Sequence, residues 1–124
     1  MNGNVYWMLE LEVLPGRNAD FRSLMSEMVR STREREPGTL NYEWNTSPDG
    51  TICHIYERYA DSDAVMTHLE SFGANFAERF LATLKPIRLV VYGAPNQTVQ
   101  DALAGFGPVY MRGADGFARQ GMAA

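Results

Sequence analysis

The chain has 124 residues, a formal charge of −4, 45% hydrophobic and 21% charged residues, and a pI of about 5.1. One domain of this length buries a real core, and an acidic chain lacks the basic footprint that nucleic-acid binding needs. The single cysteine, Cys53, excludes an internal disulfide. The N-terminal stretch has no basic leader and carries Glu10 and Glu12 within its apolar run, so a signal peptide is not expected. No apolar run is long enough to cross a bilayer. A soluble, cytoplasmic protein is the expectation, without membrane or nucleic-acid partners.

In chain order, Val5, Trp7, Leu9, Leu11 and Val13 alternate with Tyr6, Met8, Glu10 and Glu12, the period of a strand. "PGRN" breaks it, and Asn18 is placed to cap a helix, with Asp20 favourable in its first turn. Phe21, Leu24, Met25, Met28 and Val29 form one apolar stripe. Arg30, Arg33 and Arg35 are interleaved with Glu27, Glu34 and Glu36, the pattern of a solvated helix face. Pro37 and Gly38 end the helix.

Next come two strands joined by "SPDG", strong turn chemistry. Leu40, Tyr42 and Trp44 face one way in the first, and Asn41, Glu43 and Asn45 the other. The second, "TICHIYERY", places Cys53, Ile55, Glu57 and Tyr59 on one face and Ile52, His54, Tyr56 and Arg58 on the other. Asp61 caps a helix whose buried stripe is Val65, His68, Leu69 and Phe72. Gly73 interrupts it, and a short helix with Phe76, Phe80, Leu81 and Leu84 inward follows, stopped by Pro86. The last strand is "IRLVVYG" over 87–93.

This order, β-α-β-β-α-β, predicts an α+β, ferredoxin-like fold: a four-stranded antiparallel sheet with its helices on one face. Residues 1–95 form the domain. Residues 96–124 form a C-terminal extension, with a short helix over 97–104 and apolar residues that dock on the core or on a partner subunit. Both faces of the sheet are largely apolar, so the uncovered one predicts a two-fold homodimer with packed sheets.

"PGRNADFRSLMSEMVRSTREREPGTLNYEW" followed by "HIYERYADSDAVMTHLESF" resembles the antibiotic biosynthesis monooxygenase domain family over roughly residues 5 to 93. The resemblance rests on Pro-Gly before the first helix, Glu-Pro-Gly and a tyrosine entering the second strand, and Tyr-Glu-Arg-aromatic ending the third. It implies a dimeric α+β barrel with a pocket between helices and sheet in each subunit. Some members of that family oxygenate polycyclic phenols, and others oxidise quinols, with molecular oxygen and no cofactor. More distant relatives degrade haem or isomerise a small phosphorylated sugar. Tyr59 stands where the family often has tryptophan.

The chemistry-bearing residues follow from these faces. His68 points toward the sheet, either as a core histidine with one hydrogen bond or as the pocket base, and it matches the family's histidine. Tyr42 or Tyr59 is placed to steady an oxygenated intermediate. Trp44 and Tyr56 supply flat walls for an aromatic substrate, or ordinary sheet packing. Glu57, Asn41 and Phe72 complete the expected substrate contacts. His54 joins the pocket or the subunit contact, depending on which face the helices cover. His54, His68 and Cys53 do not make a metal-ligand set, since Cys53 and His54 are adjacent and face opposite ways. The expected activity is a cofactor-independent monooxygenase or quinol oxidase acting on a small phenol or quinol. The alternatives are an isomerase in the same pocket and a non-catalytic ligand-binding dimer.

Overall fold

The computed structural model describes residues 3–119. The elements are β1 (Val5–Val13), α1 (Asn18–Arg35), β2 (Thr39–Thr46), β3 (Ile52–Tyr59), α2 (Ser62–Asn75), α3 (Ala77–Thr83), β4 (Leu84–Gly93), α4 (Gln97–Leu103) and β5 (Val109–Met111). A 3-10 turn, Ala104–Phe106, joins the last two. The strand order is β2-β3-β1-β4-β5. The first four strands pair antiparallel, and β5 adds to β4 in parallel. The expected four-stranded antiparallel sheet is therefore a five-stranded mixed one. The fifth strand comes from the glycine-rich tail, whose three-residue strand is too short to leave a period.

The alternation in β1 is complete: its five odd-numbered residues are buried. They meet Ile55 and Tyr59 of β3, Leu89 and Val91 of β4, and the apolar stripes of α1 to α4 in one core. The helices thus cover the face that carries Glu57, and His54, Tyr56 and Arg58 fall on the other. Two irregularities break the parity. The β1–β4 register shifts between Glu10 and Leu11, which turns Ile87 out to 50% exposure. The β2–β3 register shifts between Thr39 and Asn41, which frees Leu40 from the face of Tyr42 and Trp44.

Several boundaries differ from the sequence expectation. Asn18 is the first residue of α1 rather than its cap, and no side chain caps that end. Asp61 does cap α2, accepting from the Ala64 amide at 2.8 Å. The helix runs through Gly73 and breaks at Phe76 instead. Leu81 is exposed, not inward. Pro86 does not stop the chain but sits within β4, opposite Leu11. There β4 pairs with β1 on one side while β5 joins only at Val90–Tyr92, so proline's missing N–H faces an open edge.

Candidate active site

Three elements bring ionisable groups together beneath the helices. Glu57 lies on the inner face of β3, opposite Trp7 of β1 and Tyr42 of β2. His68 comes down from the buried stripe of α2. Glu36 follows the last residue of α1. His68 Nδ1 lies 2.7 Å from Glu36 Oε1, and His68 Nε2 lies 3.4 Å from Glu57 Oε1. The Tyr59 hydroxyl donates to the same Glu57 oxygen, and Thr39 Oγ1 donates to Glu36 Oε1 at 3.4 Å. Glu36, Glu57, His68 and Tyr59 are all buried.

Buried charges survive where they are paired and hydrogen-bonded. Burial works against the charged imidazole of His68. The Glu36 hydrogen bond and the charges of Glu57 and Glu36 outweigh it and leave the pKa raised. Glu57 is also raised, by burial first, with His68 and Tyr59 opposing. Burial and the neighbouring Glu57 charge push the Tyr42 and Tyr59 phenols well above their ordinary range, so both are hydroxyl donors at neutral pH. The Glu57–His68 pair is a coupled acid–base unit, and Glu36 fixes the far side of the ring as a carboxylate does for a catalytic histidine.

This unit opens on a cavity of about 40 Å³ between sheet and helices. Tyr42, Glu57, His68 and Phe72 line it, so four of the nine residues singled out from sequence converge there. Tyr59 stands behind Glu57, and Trp44 behind Tyr42, its ring 6.0 Å from that of Tyr42. Asn41, His54 and Tyr56 do not reach the cavity. Asn41 accepts from Arg58 Nε at 2.7 Å on the outer face, and His54 sits 3.8 Å from Glu10 there. Their residue parity puts them on that face once the helices cover the other. Cys53 is buried, and burial pushes its thiol up to about 12, which makes it inert packing. Among the described residues no group of three or more His, Cys, Asp or Glu is arranged to hold a metal ion.

Glu36 is the residue that sequence reasoning missed, because it was assigned to a solvated face. The signal was present. Phe21, Leu24, Met28 and Thr32 are the buried positions of α1, and Glu36 follows Thr32 by four, one more step along the same stripe.

The fold and site define a small α+β domain with an acid–base cavity between sheet and helices. The antibiotic biosynthesis monooxygenase family profile matches residues 4–85, and the chain belongs to that family. Among solved structures it is similar to MupZ from Pseudomonas fluorescens, at 24% identity over 96% of this chain and 91% of that one, with a TM-score of 0.84. It is also similar to a putative antibiotic biosynthesis monooxygenase from Caulobacter crescentus, at 24% identity over 77% and 92% of the two chains, with a TM-score of 0.65. A third is SnoaB, a cofactor-independent oxygenase from Streptomyces nogalater, at 18% identity over 77% and 96%, with a TM-score of 0.63. These likenesses establish the fold. Comparison with curated proteins finds no match. No helix among the described residues is long and apolar enough to cross a membrane.

Proposed function

We propose that the cavity is the active site of a cofactor-independent oxygenase for a small neutral phenol or quinol. The observation that carries this is the Glu57–His68 pair, 3.4 Å apart on one cavity wall and braced by Glu36 and Tyr59 from outside. The raised pKa of His68 changes its role from the one expected. It is the protonated member of the pair, and the Glu57 carboxylate is the acceptor for the substrate proton. The phenolate gives an electron to oxygen, and the two radicals join as a peroxide on the ring. Glu57 hands its proton on to the peroxide and, as a carboxylate again, takes the ring hydrogen as a proton while the O–O bond breaks, leaving a quinone and hydroxide. His68 protonates the hydroxide to water and is reset by the proton on Glu57. Proton transfer of this kind contributes about 10²–10⁴-fold.

A second reading, isomerisation, is favoured by the same pair. An acid and a base on one wall can take a proton at one carbon and return it at another without oxygen. A panel of phenols, quinols and enolisable ketones, assayed in air and under nitrogen, separates the two. Oxygen uptake matching product supports the first, and product under nitrogen the second. Neither, across the panel, leaves a ligand-binding protein.

The reading includes a two-fold dimer through the outer sheet face. Tyr6 and Tyr92 stack there at 5.2 Å, beside Met8 and Tyr56, an apolar surface that no helix among the described residues covers. A cytoplasmic setting accords with the free thiol of Cys53.

A further inference from the structure

The cavity of about 40 Å³ has room for a few water molecules, whereas a dry cavity that admits benzene measures about 150 Å³. An aromatic substrate therefore enters only if a wall gives way. Trp7, Ile55 and Leu89 are fixed in the sheet, and Met28 is buried on α1. Tyr42, Leu69 and Phe72 are partly buried lining residues too, but they sit within the regular β2 and α2, whereas Leu103 and Phe106 belong to the C-terminal extension, beyond the region that defines the family.

Of these, Phe106 is the most easily displaced. It is only partly buried, it ends a three-residue 3-10 turn, and it stands between Gly105 and Gly107. Gly107 takes φ +60°, and a Cβ at either glycine would meet nothing within 4 Å. Neither is there to let another group pack closely, so the pair leaves the backbone free to pivot. Leu103, by contrast, is buried in the core at the end of α4. That helix is held by its Asn96 cap, which accepts from the Val99 amide at 2.9 Å, and the Asn96 amide donates to Ser62 Oγ at 3.0 Å. A fixed arm thus carries a movable ring.

We infer that Phe106 is a specificity-determining residue, a movable wall that sets how large a neutral aromatic group the cavity accepts. The preference for a neutral group follows from the lining, which holds a carboxylate and an imidazole but no lysine or arginine. This inference rests on the cavity being the substrate site.

Binding of phenol, 1-naphthol and 9-phenanthrol to the full chain, followed by quenching of tryptophan fluorescence, tests it. Phe106→Ala should tighten 9-phenanthrol binding at least tenfold relative to phenol, and Phe106→Trp should weaken 1-naphthol relative to phenol. Circular dichroism confirms that both variants fold, and Phe106→Leu offers a milder change if Phe106→Ala does not. An unchanged order of affinities in folded variants overturns the inference, as does absence of binding by all three probes. Binding that shifts with Phe106 while no turnover occurs would refute the oxygenase reading alone. Turnover whose size preference ignores Phe106 would refute this one alone.

Discussion

His68 Nδ1 and Glu36 Oε1 lie 2.7 Å apart, joining the middle of α2 to the end of α1 in a site closed to solvent. Removing one partner of a buried pair leaves the other without compensation. Glu36→Ala should cost about 3–5 kcal/mol of stability, measured by denaturant unfolding. Glu36→Gln should keep the fold but lower the His68 pKa, followed by NMR of the ring protons. An unmoved His68 titration in a folded Glu36→Gln variant would show that Glu36 is not its brace.

Stability should fall as pH rises above neutrality. The folded pKa of His68 is raised above its reference of 6.5, so the native state holds this proton more tightly than the unfolded chain. The resulting stabilisation is complete below about pH 6.5 and is lost as pH rises through the folded value. Glu57 is raised as well and acts in the same direction from a lower starting pH. Thermal melts from pH 6 to pH 9 should show a declining Tm, and His68→Asn should flatten the upper part of that decline.

Tyr59→Phe takes away the hydroxyl that donates to Glu57 without changing the packing against Trp7, whose ring lies 4.9 Å away. Leaving the buried carboxylate short of a donor should cost about 1–3 kcal/mol and raise the Glu57 pKa further. Urea titrations at two pH values would show both. A loss that is equal at pH 5 and pH 8 would mean that the hydroxyl does not tune Glu57.

Gly93→Ala should be as damaging as a change within the site. Gly93 adopts φ +88°, and a Cβ there would run into the carbonyl of Asn4. Holding a non-glycine residue in that conformation costs about 1–3 kcal/mol, and the collision adds to it. Chemical denaturation is the direct measure.

The outer sheet face predicts a dimer at micromolar concentration. Tyr56→Glu, central on that face, should give a monomer by sedimentation equilibrium while leaving the secondary structure intact. A monomeric parent protein would remove the dimer from the proposal.

Much of the fold was legible because its signals are local. The period of two in β1 and β3, the stripe of α1 and the "SPDG" turn each lie within a few residues. The face assignment of His54 was not legible, since parity gives two faces and only the packing of the helices says which is inside. Glu36 was hidden by composition: its neighbours are charged and exposed, and its burial depends on His68, a partner 32 residues away. Leu40 escaped because a single register shift reverses a side chain, and nothing in the flanking residues announces one.

Glu36, Glu57 and His68 are separated along the chain by the β2–β3 hairpin and by the first half of α2. No contiguous fragment holds all three in place, and each reaches the others only after the sheet has paired and both long helices have docked on it. Such non-local closure comes late and slowly in folding. The imidazole signal of His68 is accordingly a natural clock for refolding: its native titration should return last, after the helical and strand signals have already recovered.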